Sequence, residues 1–210
     1  MGPNPSSIHP NEAIPQVVFI KNVITRPNIQ VGDYTYYDDV CGAEAFESHV
    51  THHYPFLGDK LIIGKFCAIG KGIEFIMNGA NHRMASVTTY PFNLMGGGWE
   101  AFTPSLEQLP FKGDTVVGND VWFGQNVTVL PGIHIGDGAI IGANSVVAKD
   151  IPPYTIAAGN PCRVLRQRFD PELTRYLLEL KWWDWPADKI FANMEALCSG
   201  DLSKIRTIQP

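Results

Sequence analysis

From Val117 the chain can be written in sixes: Val117-Gly118-Asn119-Asp120-Val121-Trp122, then units opening at Phe123, Val129, Ile135, Ile141 and Val147. The first position of each unit is always large and apolar. Four of the six carry glycine second (Gly118, Gly124, Gly136, Gly142), and the fifth positions are small or β-branched: Val121, Val127, Ile133, Ala139, Ser145 and Ile151. A 3.6-residue period would drift off one face within two units. A strict six suits short extended segments separated by bends, with glycine permitting either a close approach or a positive φ. Each six then forms one side of a triangular coil. One coil cannot bury its apolar row alone, but stacked coils align the first positions into a continuous ladder. The expected fold is therefore mainly β, a parallel β-helix.

The same frame appears earlier, in Ile63-Gly64-Lys65-Phe66-Cys67-Ala68, in Ile69-Gly70-Lys71-Gly72-Ile73-Glu74 with Phe75 opening a weaker unit, and in Val31-Gly32-Asp33-Tyr34-Thr35-Tyr36. Two stretches break it, residues 37–60 and 81–114, and loops of that length are uncommon unless functional. The second starts directly after a coil, so Asn81 and His82 should stand at the edge of a rigid prism. It then turns rich in aromatics and glycine from Tyr90 to Trp99, which suits an adaptable apolar surface. The β-helical domain is expected over residues 1–160, with a helical tail over 161–210 packing on it. There Asp170 suits an N-cap and Pro171 the first helical position, and Leu173, Tyr176, Leu177 and Leu180 share a face. A short second helix should follow Trp185-Pro186, and the aromatic run Lys181-Trp182-Trp183-Asp184-Trp185 reads best as an anchor for the tail.

A chain of 210 residues with 45% hydrophobic content can bury one substantial core. The net charge of −5 and the lack of a basic patch interleaved with aromatics argue against nucleic acid as a partner. No run of eighteen apolar residues occurs, and the first twenty lack a basic and apolar leader pattern, so no membrane span and a cytoplasmic setting are expected. The four cysteines, Cys41, Cys67, Cys162 and Cys198, form no close C-x-x-C pair and read as reduced structural thiols.

Several segments resemble the xenobiotic acetyltransferases, a branch of the left-handed parallel β-helix acyltransferases, and within it the streptogramin A acetyltransferases. They are Met1-Gly2-Pro3-Asn4-Pro5, Ile76 to Met84 with its Asn-Gly-Ala-Asn-His core, Thr89-Tyr90-Pro91-Phe92-Asn93, Gly113 to Trp122, Gly159-Asn160-Pro161 and Lys181 to Pro186. Type B chloramphenicol acetyltransferases share much of this, including the Trp-Trp-Asp-Trp-Pro segment, but typically carry Gly-His where this chain has Asn81-His82. The resemblance implies a left-handed coil and transfer of acetyl from acetyl-CoA to a hydroxyl of a streptogramin A antibiotic, without a metal. It also implies a homotrimer with its sites between subunits.

A hydroxyl is a weak nucleophile at neutral pH and needs a base within hydrogen-bond reach, a task for which histidine has the right pKa range. Of the six histidines, His82 alone combines the repeat-to-loop junction with the family's catalytic segment. The resemblance implies direct transfer, with His82 taking the proton and returning it to the departing thiolate. It places the cofactor on Trp122, Gly124, Ala143 and Lys149, with Asn160 and Arg166, and the acceptor near Tyr37, Tyr54, Pro104 and Leu109. Only Trp122 is unusual on repeat grounds, because an indole at an outward sixth position needs a cover. No oxyanion donor stands out. Other readings are a chloramphenicol or other hydroxyl acceptor, a non-catalytic scaffold, and a zinc lyase resembling the γ-carbonic anhydrases. For that last reading His49, His52 and His53 crowd one loop rather than rigid coils, and only His134 sits in a regular hexad.

Overall fold

The computed structural model describes residues 2–208; Met1 of the Met-Gly-Pro-Asn-Pro start and residues 209–210 at the end of the expected tail lie outside the described residues. The hexads fold into a parallel β-helix whose three faces are three sheets. One face stacks Ile29–Val31, Leu61–Ile63, Thr115–Val117 and His134–Ile135. A second stacks Val50–Thr51, Glu74–Ile76, Thr128–Val129 and Val146–Val147. The third, seven strands wide, runs Val17–Phe19, Tyr36–Asp38, Ala68–Gly70, Trp122–Phe123, Ile140–Ile141, Thr155–Ala158 and Arg163–Gln167. Its outermost pair at each end is antiparallel.

The registers pair Val117 with Ile135, Phe123 with Ile141 and Val129 with Val147, each eighteen residues on, so three hexads close one coil. First and fifth positions both point inward and build one continuous core of Ile, Val and Phe. The second-position glycine is there for close approach. A Cβ on Gly124 would stand 2.6 Å from the Ala143 nitrogen, and one on Gly136 2.4 Å from the Pro153 nitrogen. Positive φ falls instead on the fourth position, at Asp120 (55°), Asn126 (56°), Gly132 (72°), Gly138 (66°) and Asn144 (58°). These residue types tolerate the left-handed region best.

The stretch 37–60 is not one loop. Tyr37 and Asp38 lie in the strand Tyr36–Asp38, and Val50–Thr51 pairs in parallel with Phe75 and Ile76. Only residues 39–49 and 52–60 leave the frame, because the coil must still be closed before Leu61 can open the next. The excursion 81–114 is built on short 3-10 turns at Phe92–Leu94, Trp99–Phe102 and Leu106–Gln108. The rings of Tyr90, Phe92 and Trp99 cluster at 4.7 and 5.0 Å between centroids.

The chain after residue 160 does not turn helical at once: Arg163–Gln167 first pairs antiparallel with Thr155–Ala158 and widens the third sheet. Helix α1 (Pro171–Leu180) follows, capped by the Asp170 carboxylate, which accepts from the Leu173 N–H at 2.7 Å. Leu173, Leu177 and Leu180 bury one face against Tyr154, Trp183 and Ile205. Three shorter helices, Ala187–Ala192, Met194–Cys198 and Leu202–Ile205, complete the tail. It docks on a corner of the prism where Tyr34 and Phe66 adopt positive φ and stack at 4.6 Å, with Trp182 lying 4.9 Å from Phe66. Bulky residues in that region are costly unless their surroundings hold them. Both are fourth positions of their hexads, where the coil itself imposes positive φ, and Trp182 with the Lys65–Asp184 ion pair (2.8 Å) docks the tail there. Among the described residues no helix is long and apolar enough to cross a membrane.

Candidate active site

His82 leaves the prism four residues after Asn78. The strand Glu74–Ile76 ends two residues before Asn78, and the turn Asn78–Ala80 leads the chain out at the corner between the first two faces. The imidazole is exposed, and its Nδ1 lies 2.7 Å from the carbonyl oxygen of Thr89. A carbonyl only accepts, so Nδ1 carries the proton and, in the neutral ring, Nε2 is left with a free lone pair. That is the tautomer a general base requires.

Two distant segments meet the chain just before His82. The ring of Tyr54, half-exposed and stacked on Phe56 at 5.6 Å, lies over Gly79, where a Cβ would come within 2.4 Å of it. The side-chain amide of Asn81 donates weakly to the Pro110 carbonyl at 3.4 Å, next in sequence to the half-buried Leu109. Pro104 sits half-buried between the turns Trp99–Phe102 and Leu106–Gln108. Exposed Met84, Leu94, Phe102, Leu106 and Phe111 give this excursion an apolar outer surface.

Tyr37, expected near the acceptor, lies in the interior of the coil. It is fully buried, and its hydroxyl donates to Asp39 at 2.9 Å, accepts from the Gly72 N–H at 3.0 Å and faces His49 Nε2 at 3.2 Å. Burial pushes the phenol up to about 12. The hexad frame already carried this outcome: Tyr36 holds an outward sixth position, so Tyr37, the next first position, must point inward.

The second feature is a groove of about 460 Å3 on the third face, lined among others by Tyr36, Asp38, Trp122, Gly124, Gln125 and Ala143. Phe123 is buried while Trp122 next to it is 55% exposed. The registers place Tyr36, Ala68, Trp122, Ile140, Ile156 and Arg166 in one row across this face. Arg166 thus stands at the end of the row that holds Trp122. Lys149 and Asn160 are exposed but do not line the groove; they lie in turns at the ends of neighbouring strands. Tyr36 and Asp38 are groove residues that the repeat frame could have supplied.

The remaining reactive groups have other partners. Cys67 is fully buried, its thiol pushed up to about 12 by burial, and it is no nucleophile in this setting. His49 faces Tyr37, whereas His53 lies buried against the Asp59 carbonyl (2.9 Å) and the Asn28 amide (2.7 Å). Among the described residues no group of three or more His, Cys, Asp or Glu is placed to hold a metal ion.

Comparison with known proteins gives a consistent picture. Residues 114–149 match the model of the bacterial transferase hexapeptide family (six repeats). The chain is 62% identical over 156 residues to a "Probable macrolide acetyltransferase" of Lysinibacillus sphaericus, covering 74% of this chain and 87% of the relative. It is 49% identical over 205 residues to the virginiamycin A acetyltransferase of Staphylococcus aureus, covering 98% and 93%. With a chloramphenicol acetyltransferase of Escherichia coli it shares 42% over 185 residues, covering 87% and 88%.

Proposed function

The chain belongs to the hexapeptide-repeat acetyltransferases, and from that premise we propose that it transfers acetyl from acetyl-CoA to a hydroxyl of a streptogramin A antibiotic, with His82 as the base. The observation that carries the mechanism is the Thr89 carbonyl on His82 Nδ1, which leaves Nε2 as the proton acceptor. As the acceptor's oxygen attacks the acetyl carbonyl, Nε2 takes its proton. A C–O bond forms, the C–S bond breaks, and the protonated imidazole returns the proton to the departing thiolate. The products are an ester and a free thiol, and no acyl-enzyme is needed.

The groove of Trp122, Gly124 and Ala143 offers a shallow floor of small residues with one exposed indole, which suits a pantetheine arm. Arg166, Lys149 and Asn160 lie outward of it and would meet the nucleotide end. His82 stands at the corner between the other two faces. Groove and base therefore form one site most simply when two copies of the chain face each other, which supports a closed homotrimer of left-handed coils. The prism, nominally residues 1–160, would carry the chemistry and residues 161–210 would buttress it. Tyr54, Pro104 and Leu109 with the aromatic excursion would wall the acceptor, matching a large apolar macrocycle. A cytoplasmic setting fits the use of acetyl-CoA.

The streptogramin A acceptor is favoured by the match over 98% of the chain to the virginiamycin A enzyme. Chloramphenicol is the second reading, supported by 42% identity to the Escherichia coli enzyme, and a macrolide is a further acceptor suggested by the Lysinibacillus relative. Thiol release from acetyl-CoA, followed with a streptogramin A compound, chloramphenicol, a macrolide and no acceptor, separates them. Turnover of chloramphenicol or a macrolide alone overturns the preferred acceptor, and no turnover with any of the three overturns the antibiotic reading in favour of another hydroxyl acceptor.

A further inference from the structure

We infer that Asp59 is a positioning residue for this reaction, acting through Asn78 to hold both roots of the excursion that carries His82. The inference rests on the acetyltransferase reading above. Asp59 and Asn78 are both buried, at 0% and 3% exposure. Asp59 Oδ2 accepts twice from Asn78, from its backbone N–H at 3.0 Å and its side-chain amide at 2.9 Å. The same amide also donates to the Gly113 carbonyl at 2.8 Å. Asn78 Oδ1 accepts from the Lys112 N–H at 2.8 Å and from the Asn81 amide at 3.3 Å. One side chain therefore ties the outgoing root at Asn81 to the returning root at Lys112 and Gly113.

An asparagine amide has two donor hydrogens and an oxygen with two lone pairs, and all are used here. Its orientation is set by Asp59: rotated by half a turn, the amide would point its oxygen at a carboxylate oxygen and its donors at the Lys112 N–H. Asp59 itself gains little, since its Oδ1 is buried without a hydrogen-bond partner, 3.9 Å from His53 Nε2. A buried carboxylate oxygen left unpaired is costly. Such a group is better explained by the orientation it imposes than by the stability it adds. His82 lies one residue beyond Asn81, and small displacements of a catalytic group are expensive, about 100-fold for about 1 Å.

The test compares Asp59→Ala, Asn78→Ala, their double variant and Asp59→Asn in the full chain. The readouts are thiol release, acetyl-CoA binding, Tm and amide exchange at Lys112. Asparagine at 59 keeps an oxygen that can accept both bonds. We expect each alanine variant to lower kcat about 100-fold while acetyl-CoA affinity stays within about threefold. The double variant should be no slower than either single one, because both break one unit. Exchange at Lys112 should accelerate while that at Gly136, inside a coil, does not. Asp59→Asn should restore most of kcat. Alanine variants that keep their kcat, or that lose kcat and donor binding together, overturn the inference, as does an Asp59→Asn variant as slow as Asp59→Ala. If Asp59→Ala does not fold, Asn78→Ala alone decides by the same split between kcat and binding. A wild-type chain that turns over no acceptor overturns the underlying reading instead, and the exchange at Lys112 then still reports whether the clasp exists.

Discussion

The Nδ1 of His82 faces the carbonyl oxygen of Thr89 at 2.7 Å, and this one bond determines which ring nitrogen can take a proton. Six residues of loop lie between the two in sequence, so the imidazole and the group that orients it belong to one excursion. The excursion orients the imidazole of its own His82, while the prism positions the excursion.

The tautomer is directly measurable. In protein labelled with 15N at histidine, His82 should show a protonated Nδ1 and a bare Nε2 once the ring is neutral. The reverse assignment would remove it as a base. Replacing His82 with alanine should slow thiol release by roughly 10²–10⁴-fold, the usual share of general-base catalysis, with acetyl-CoA binding retained. A loss of only tenfold is too small for the role.

Trp122 is tested through binding. If its exposed indole covers the donor, Trp122→Ala should raise the KM for acetyl-CoA about tenfold, the cost of losing about 1.4 kcal/mol of contact. The kcat should stay within about threefold. A donor KM that does not move would take the groove out of the donor site.

Asp120 predicts a pH dependence. Burial raises its pKa from 3.8 to about 6, opposed by Arg168 and aided by Asp137. A carboxyl that holds its proton more tightly folded than unfolded loses stability as pH rises from about 4 to about 6, and the cost persists above that. The upper bound is about 3 kcal/mol at 1.36 kcal/mol per pKa unit. Solvent reaches about a third of the side chain, so the effect will be smaller. Asp120→Asn should therefore raise Tm at pH 8 more than at pH 4. An equal shift at both would refute the assignment, since the preference of asparagine for positive φ acts at either pH.

Gly136 tests the close approach of coils. Its φ is not positive, but a Cβ would meet the Pro153 nitrogen at 2.4 Å and Cδ at 2.8 Å. Gly136→Ala should cost about 1–3 kcal/mol, the range for overpacking a filled interior, read as a lower Tm. A stabilising substitution would mean that successive coils are free to separate.

The sequence by itself determined the coil. Its period records which residues face inward, and each hexad meets only its neighbours, so the ladder of Ile63, Val117 and Ile135 could be read off without coordinates. The same frame, carried one unit further, would have turned Tyr37 inward, where the resemblance had put it near the acceptor. It located His82 at a break in the period, though its role also needed the family resemblance. The tertiary structure decided what lies off the period. It split the stretch 37–60 into a strand-bearing coil, extended the third sheet through Arg163–Gln167, and gave close approach to the second-position glycines and positive φ to the fourth. It alone brought Thr89 to His82, and Asp59 through Asn78 to Lys112. The physical reason is that burial in a repeat is settled by neighbours at a constant spacing, whereas these hydrogen bonds join residues at irregular separations that no period encodes.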